Sequence, residues 1–383
     1  SDVNMTNSEF NIGLGASDVG GLFGYVAGNS SANNITVVNL PSVGMKSASV
    51  AGIIAGYIET IELNNVVIKN DKILDDETEL YTKIIAGNLY ADAGGLVGFA
   101  KNKVIANDII VDKIDIEGQN SGGIVGKISS SGTFEGENIQ VTNLNVNSNE
   151  KAAGIAGYAP NINTNNIRLE NINLIPSNYG YAGGVVAVTD DHIVNISDVI
   201  ISNIKINESK NSGVSSIGGI CGSAYCSVNT ENIEINNMDA YDATSIGGVL
   251  GVSPGNGKII DTKISNVNIS QEKTVGSYPA YGGITGNVER ADINSAVLNN
   301  INIDVKEKIS DAAIGSVSGR ANSISNVDVN DVNVVSKGSE WIGGIAGLIK
   351  DNIDNAQIKN VDIEVSEKTN SDTIGGVSGL ILG

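Results

Sequence analysis

A five-residue motif, Gly-Gly-aliphatic-x-Gly, returns twelve times along the 383-residue chain, about every thirty residues. Clear copies are 20–24, 94–98, 122–126 and 343–347. A fixed period of this length is typical of repeat proteins, in which each repeat packs only against its neighbours. The repeat therefore predicts a single solenoid domain over 1–383, although length alone would suggest several domains.

The residue after the second glycine is aliphatic in every copy, which is typical of a side chain that points into a core. Glycine beside it permits either a positive φ or the close approach of another backbone. The last glycine is replaced at Ala55 and Ala187. We place the second glycine, or its replacement, at Gly21, Gly52, Gly95, Gly123, Gly154, Gly184, Gly219, Gly248, Gly283, Ser316, Gly344 and Gly376.

A second segment follows most glycine motifs and reads aliphatic-x-aliphatic, x-Asn, aliphatic-x-aliphatic, as in 139–146. The apolar period is two on each side, which predicts β-strands. Across the middle, inward residues such as Val141 and Leu144 are three apart, so a corner must keep both strands facing one core. Asn suits such a corner because it tolerates left-handed backbone, and stacked amides can hydrogen-bond from coil to coil. The predicted corner residues are Asn39, Asn70, Lys113, Asn143, Asn171, Asn203, Asn237, Asn266, Asn300, Asp331 and Asn360.

Each repeat thus supplies three short strands: the glycine motif and the two strands beside the Asn corner. Parallel stacking of such coils predicts an all-β fold, a right-handed parallel β-helix of about twelve coils. A helical solenoid is disfavoured because no stretch shows sustained 3.6-residue periodicity, and Gly, Ile and Val are poor helix formers.

The chain carries 43 acidic and 23 basic residues, a formal net charge of −20. This charge disfavours nucleic acid as a partner, since such binding depends on cations that neutralise phosphates. It favours a soluble monomer, because copies of the chain repel one another. No apolar run reaches the length of a membrane span, so we expect no membrane insertion. The chain begins at Ser1 without a signal peptide, and we expect it to be a processed or excised piece of a longer protein.

Gly-Leu-Phe-Gly at 21–24 and Gly-Leu-Val-Gly at 95–98 resemble the GLUG motif, Gly-Leu-any-Gly. That repeat occurs in bacterial surface proteins, including the region ahead of the catalytic part of IgA-specific zinc metallopeptidases. Most copies here have Ile or Val in place of the Leu. The resemblance covers nearly the whole chain and implies a secreted or surface-exposed bacterial protein, but it implies no activity.

Candidate catalytic residues are few. The only histidine is His192, so the two-histidine motif of zinc peptidases is absent. Asp190 and Asp191 are the best candidates for a carboxylate pair that cleaves glycans, with a solvated turn as the alternative. The acidic run 75–77, which begins at Asp75, predicts a protruding loop, with calcium binding as an alternative. The sequence therefore predicts no cofactor, no metal and no enzyme, and the alternative is a polysaccharide lyase or glycosidase.

The two cysteines, Cys221 and Cys226, lie five residues apart. This spacing is compatible with a local disulfide and equally with two free thiols in a strand and its following turn. Spacing alone does not fix the geometry that a disulfide needs, so both alternatives stay open.

Aromatic residues gather just ahead of several glycine motifs, although only 4% of the chain is aromatic. If they project outward near one corner, they form a stripe along the solenoid that suits contacts with protein or sugar faces. The alternative is that they cover the ends of the core or fill gaps in loops. The predicted binding residues are Tyr90, Tyr179, Tyr181, Tyr241, Tyr278, Tyr281 and Trp341.

These observations predict a non-catalytic β-helical domain of a bacterial surface or secreted protein, which acts as an adhesin or a rigid stalk. The expected partner is a host glycan or glycoprotein. A further alternative is the substrate-positioning region of a large surface metallopeptidase. The last glycine motif, ending at Gly379, has no Asn corner after it, and we expect its open strand edges to be covered in the native protein.

Overall fold

The structure is a computed structural model that describes residues 3–6, 17–45, 48–71, 79–87, 91–177, 179–190, 194–207, 213–273, 276–367 and 373–382. The first half contains strands β1 (Val3–Thr6), β2 (Asp18–Gly20), β3 (Phe23–Val38), β4 (Ser42–Met45), β5 (Val50–Gly52), β6 (Ala55–Lys69), β7 (Thr82–Ala86), β8 (Asp92–Gly94), β9 (Val97–Gly122), β10 (Val125–Ile128), β11 (Thr133–Ala153), β12 (Ala156–Tyr158), β13 (Asn161–Pro176), β14 (Tyr181–Gly183) and β15 (Val186–Thr189). The second half contains β16 (Val194–Ile206), β17 (Val214–Gly218), β18 (Cys221–Ala224), β19 (Val228–Tyr241), β20 (Ala243–Gly247), β21 (Leu250–Val252), β22 (Gly257–Gln271), β23 (Ala280–Gly282), β24 (Thr285–Asn287), β25 (Ala291–Gly315), β26 (Ser318–Ala321), β27 (Ser323–Gly343), β28 (Ala346–Ile349), β29 (Ile353–Val365), β30 (Thr373–Gly375) and β31 (Ser378–Ile381).

These strands form one right-handed parallel β-helix of about 11 turns, which confirms the predicted fold class. Each strand pairs in parallel with the strands one repeat away, as β11 does with β9 and β13. The described residues contain no helix. The fold follows from the sequence period, because a repeat of about thirty residues brings like residues into register on neighbouring coils.

One apolar core runs along the inside of the solenoid. Val141 and Leu144, the inward residues three apart, are both fully buried. The corner between them therefore keeps both strands facing one core, as predicted. The aliphatic residue of the glycine motif is likewise buried, as at Leu96 and Ile220. Side chains between these positions point outward, which gives the long strands their alternation of buried and exposed residues.

The predicted Asn corner is confirmed. Every predicted corner residue except Asn70 has a positive φ, between 52° and 61°. Asn70 is instead fully buried, and its Nδ2 donates to Thr82 Oγ1 (2.9 Å) and to the Lys113 carbonyl oxygen (3.0 Å). It stands where the longest interval between corners begins. Its amide therefore joins Thr82, within that interval, and Lys113, at its end.

A second left-handed corner lies five residues ahead of the first, and the sequence analysis missed it. Neighbouring strands skip these residues in their pairing, as at Asn138 between Glu137 and Ile139. The predicted strands are therefore present, but one coil comprises the straight segments 133–137, 139–142, 144–148, 151–153 and 156–158. With φ between 47° and 59°, the second corner column is Asn34, Asn65, Asp108, Asn138, Asn166, Asp198, Asn232, Asp261, Ser295, Asn326 and Asn355.

The corner amides form hydrogen-bonded ladders along the solenoid. Asn237 Nδ2 donates to Asn203 Oδ1 (2.8 Å), and Asn237 Oδ1 accepts from Asn266 Nδ2 (3.0 Å). The same pattern runs unbroken from Asp112 to Asn300. The second corner repeats it, for example from Asn166 to Asn138 (2.6 Å). Because each amide both donates and accepts, one residue type satisfies its neighbours above and below.

The glycine motif makes the third corner, and close backbone approach explains its glycines. Among the described glycines a positive φ occurs at Gly28, Gly213 and Gly276, which lie outside the motif. A Cβ on Gly219 would stand 1.9 Å from the Gly248 carbonyl oxygen and 2.8 Å from Ile235 Cδ1. Of the two alternatives for these glycines, the structure therefore selects close packing between coils.

The structure corrects the alignment of one motif copy. Gly52 pairs with Gly20 and Gly94, so it is the first glycine of its motif and Ile53 holds the second-glycine position. The buried aliphatic residue of this copy is Ile54, and the last glycine is Gly56 rather than Ala55. The placement of Gly52 beside Gly21 was wrong by one residue, because Ile replaces a glycine there and two aliphatic residues stand side by side.

The last coil leaves apolar residues open. Ile374, Val377 and Ile381 are about half exposed, whereas the equivalent residues of inner coils are buried. Within the described residues no strand pairs with β30 or β31 on their outer side. The strand edge is therefore open in the structure, and the expectation that it is covered in the native protein stays a prediction.

Replacement of Gly219 by Ala should lower the free energy of unfolding by about 1–3 kcal/mol, because its methyl group would collide with the backbone of the next coil. The matched control is Gly376→Ala, at the same motif position in the last coil, where a Cβ would meet nothing within 4 Å. This control should cost at most about 0.5 kcal/mol. Urea unfolding followed by circular dichroism measures both, and equal losses would contradict the close-approach explanation.

Two substitutions separate backbone strain from ladder hydrogen bonds at the Asn corner. Asn237→Gly loses the ladder bonds alone, whereas Asn237→Ala also places a Cβ in left-handed backbone, at a further cost of about 1–2 kcal/mol. The Ala variant should therefore unfold at lower urea than the Gly variant. Asn229, whose amide bonds Asn195 (3.0 Å) without a positive φ, is the control. There the order should reverse, because Gly weakens a strand.

Candidate binding face

Two columns of side chains that lie outside the main core flank the glycine corner, and we call them together the corner face, although several members such as Ser223, Ala280 and Ala313 are buried. The preceding column consists of the residue two positions before the first motif glycine of each copy. The following column consists of the residue directly after the last motif glycine of each copy. The columns touch across the corner: Lys151 Nζ stands 5.7 Å from the ring centroid of Tyr158, and the Arg320 guanidinium 5.2 Å from that of Trp341. The preceding column is Asp18, Val50, Asp92, Asn120, Lys151, Tyr181, Ser216, Ser245, Ala280, Ala313, Trp341 and Thr373. The following column is Tyr25, Tyr57, Phe99, Lys127, Tyr158, Val188, Ser223, Val252, Asn287, Arg320, Leu348 and Leu380.

The following column begins with three stacked rings, which we call the aromatic ladder: Tyr25, Tyr57 and Phe99. The ring centroids lie 4.9 Å and 5.1 Å apart, with interplanar angles of 16° and 24°. Tyr25 is 57% exposed, and the other two rings are partly exposed. This ladder was not predicted, since the predicted aromatic residues all lie ahead of the glycine motifs. The signal was an aromatic residue directly after the last motif glycine in four of the first five copies.

Charged pairs border the aromatic ladder. Lys101 Nζ donates to Glu59 Oε1 (3.1 Å), while Glu59 Oε2 accepts from the backbone N–H of Gly28 (2.8 Å). The hydrogen bonds from Lys101 and Gly28 lower the pKa of Glu59, so it stays ionised. Lys103 and Glu135 form a second pair at 2.7 Å. The rings therefore stand beside ordered polar groups, and aromatic groups with a few fixed polar groups are a common combination in small-molecule sites.

Two of the predicted aromatic residues are well exposed, Tyr179 at 79% and Tyr278 at 56%. Three others, Tyr181, Tyr241 and Trp341, are partly exposed. Tyr90 lies outside the described residues.

Tyr281 is fully buried, so it does not belong to a binding surface. It stands one residue before Gly282 and pairs with the buried Ile246 and Ile314, whereas Trp341 stands two residues before its glycine and points outward. A shift of one residue along a strand moves a side chain to the opposite face. The prediction overlooked this difference in phase.

The structure brings some of the predicted residues onto the corner face. The phenols of Tyr181 and Tyr225 share a hydrogen bond, and burial together with this contact raises the pKa of Tyr181 to about 12. Arg320 lies between Tyr278 (5.7 Å) and Trp341 (5.2 Å). Of the predicted aromatic residues, Tyr181 and Trp341 thus lie in the preceding column, and Tyr278 lies against Arg320 of the following column.

Arg320 anchors the aromatic residues at the C-terminal end of the corner face. It is 6% exposed, its Nη1 lies 3.4 Å from Glu289 Oε1, and its Nη2 donates to the Asp311 carbonyl oxygen (2.7 Å). Lys350 binds the same Glu289 at 2.7 Å, and its hydrogen bond lowers the pKa of that carboxyl. A buried guanidinium that is paired and covered by two rings is a structural anchor.

Asp92 and Asn120 form a buried polar pair in the preceding column. Asn120 Nδ2 donates to Asp92 Oδ1 at 2.6 Å, and both residues are at most 4% exposed. Burial raises the pKa of Asp92 to about 6, against the opposing effects of Asn120, Lys127 and Lys151. Asn120 Oδ1 is buried without a hydrogen-bond partner. This part of the corner face therefore has a hydrogen-bond acceptor, Asn120 Oδ1, that the protein itself leaves unsatisfied.

The predicted catalytic candidates are only partly described. Asp190 accepts a hydrogen bond from the Tyr158 hydroxyl at 2.6 Å, and Asp191, His192 and the acidic run at 75–77 lie outside the described residues. Another carboxyl pair was not predicted: burial and a hydrogen bond with Asp311 raise the pKa of Glu340. Among the described residues, no group of three or more His, Cys, Asp or Glu side chains is placed to hold a metal ion.

Both cysteines are buried in the structure and neither is in a disulfide. Of the two alternatives that the sequence left open, the structure thus has two thiols. Burial raises the pKa of the Cys221 thiol well above its ordinary range, and this keeps it protonated and unreactive.

Comparison with known proteins finds no match: no family model fits the sequence, and neither a curated protein nor a solved structure is significantly similar. The resemblance to the GLUG repeat therefore stays a prediction. In the described part of the chain, no helix has the length and apolar character needed to cross a membrane.

Replacement of Asp92 by Asn tests the buried carboxyl. A raised pKa means that the folded state favours the protonated acid, so the wild type loses stability as the pH rises from about 4 through about 6. Asn resembles the protonated form and removes this loss. The variant should match the wild type near pH 4 and exceed its free energy of unfolding by up to about 3 kcal/mol near pH 8. Urea unfolding at both pH values measures the difference.

The control for this measurement is Asp328→Asn, which changes an exposed carboxylate on β27. It should change stability little at either pH. A gain of the same size in Asp328→Asn would show that the effect comes from the net charge of the protein rather than from burial of Asp92.

Proposed function

We propose that this chain is a rigid, non-catalytic β-helical domain of a bacterial surface or secreted protein, and that its aromatic ladder binds an extended glycan. The observation that supports this most is the stack of Tyr25, Tyr57 and Phe99, which keeps large rings on the surface of a chain that is only 4% aromatic. Exposed aromatic groups in a fixed array are a usual means of contacting sugar faces and edges.

The scaffold supports this role because it holds the rings rigidly. Backbone hydrogen bonds join each coil to the next beside the ladder, as from Ile54 N–H to the Leu96 carbonyl oxygen at 2.9 Å. A ligand therefore meets a surface that is already ordered, so binding costs little conformational entropy.

A spacer role without binding is the simplest alternative, since a long β-helix is also a stiff stalk. Cleavage of glycans is a second alternative, and the Asp311–Glu340 pair beside Arg320 is the described arrangement that favours it. The charged groups beside this pair are already engaged in structural contacts: Arg320 and Glu289 pair with each other, Lys350 also pairs with Glu289, and Tyr278 and Trp341 lie against Arg320. Binding is therefore the better-supported function. Location ahead of a metallopeptidase domain is compatible with binding, since such a region would position substrate.

A glycan array followed by titration calorimetry tests the proposal. Tyr57→Ala removes the middle rung and should weaken binding at least about tenfold, or about 1.4 kcal/mol. Tyr225→Ala changes another exposed tyrosine away from the ladder and should leave the affinity within about twofold.

The same samples distinguish the alternatives. If neither the array nor calorimetry detects binding, only the spacer role remains. Shortening of any polysaccharide during incubation, followed by size-exclusion chromatography, would contradict a non-catalytic role. If that shortening stopped in Glu340→Gln, the Asp311–Glu340 pair would be the cleavage site.

A further inference from the structure

The aromatic ladder ends at Phe99, and one further aromatic residue, Tyr158, lies two coils on in the same column. In the following column, Lys127 pairs in register with Phe99 on one side and with Tyr158 on the other. Phe99 uses one ring face against Tyr57, so its other face is turned toward the coil of Lys127. Lys127 therefore stands where a fourth ring would continue the stack.

The dimensions of this position suit one inserted ring. Coils lie about 4.8 Å apart, so the Phe99 and Tyr158 positions are roughly 10 Å apart, two coil spacings along the axis. The ladder itself places stacked rings 4.9–5.1 Å from each other. A ring bound between Phe99 and Tyr158 would thus keep the existing spacing on both sides, once the flexible lysine side chain moves aside.

The chemistry of the position favours an anionic ring. Among the described residues, none forms an ion pair or hydrogen bond with the Lys127 ammonium group, whereas Lys101 and Lys151 are each paired with a glutamate. The nearby Asn120 also has a buried amide oxygen without a partner, which can accept a hydrogen bond from a hydroxyl. A ring that carries both a carboxylate and hydroxyl groups would satisfy both residues.

We infer that the gap between Phe99 and Tyr158 is a subsite for one uronic acid unit of an acidic glycan, with the sugar ring stacked in the ladder and its carboxylate on Lys127. This inference rests on the proposed glycan binding and adds the class of sugar. Lys127 supplies the charge, Phe99 and Tyr158 the two walls, and Asn120 a hydrogen-bond acceptor. Specificity comes from the Lys127 ammonium group, which forms no ion pair among the described residues and acts through space on the buried Asp92.

The experiment compares matched hexasaccharides by titration calorimetry on the whole chain. Hexamers of β-1,4-linked glucuronate and mannuronate, and of α-1,4-linked galacturonate, are each paired with the neutral hexamer that has a hydroxymethyl group in place of the carboxylate. The wild type should bind at least one uronate hexamer at least about tenfold more tightly than its neutral partner. This preference should decline at high salt, since it depends on one exposed charge.

Two variants at one position separate the charge from the stacking site. Lys127→Gln should remove the preference for the uronate and leave binding of the neutral hexamer within about twofold. Lys127→Tyr fills the gap with a ring, so it should weaken both hexamers at least about tenfold. Lys258→Gln, at an exposed lysine on β22 away from the corner face, is the charge control and should keep the preference. Unchanged circular dichroism and thermal unfolding confirm that each variant folds.

Each outcome decides between the two proposals. Equal affinity for uronate and neutral hexamers, or an unchanged preference in Lys127→Gln, would overturn the uronate subsite while glycan binding stands. Tight uronate binding that Lys258→Gln weakens as much as Lys127→Gln would show general charge attraction and also overturn it. Binding of neither type of hexamer, nor of any glycan on the array, would overturn the proposed function as well.

Discussion

Parallel hydrogen bonding between successive coils is the constraint on which the structure depends. Each coil has unpaired backbone groups on both of its edges, and only a neighbour of the same shape satisfies them. Every corner must therefore recur with the same backbone conformation. Left-handed residues such as Asn237 and closely packed glycines such as Gly219 repeat for this reason, since one differently shaped corner would break the pairing on both sides.

The same stacking turns single residues into continuous surface features. An Asn at one register position becomes a hydrogen-bonded ladder, and an aromatic residue becomes a stack of rings, because equivalent side chains lie one strand spacing apart. The corner face and the Asn corners thus arise by one mechanism. They differ in purpose: amides such as Asn203 bond each other and stabilise the coil, whereas rings such as Tyr25 leave apolar surface exposed to solvent and available for a partner.

Much of the fold could be predicted from residue spacing. The three-residue interval between Val141 and Leu144 indicated a corner, and the recurring Asn identified its conformation. The second corner was missed because Asp108, Asp198, Asp261 and Ser295 interrupt its column of Asn, and because the strand between the two corners is too short to show an alternation of its own. The alignment at Gly52 failed because only strand pairing distinguishes the first motif glycine from the second when Ile replaces one of them.

The sequence by itself determined the class of fold, the number of repeats and the residues that turn the main corner, since all of these depend on periodic chemistry along one chain. Only the tertiary structure decided which aromatic side chains reach the surface. Tyr281 and Trp341 both precede a glycine motif, yet one is in the core and the other lies against Arg320. Their difference is a single residue of strand phase, and the corners that set this phase are defined by contacts between coils.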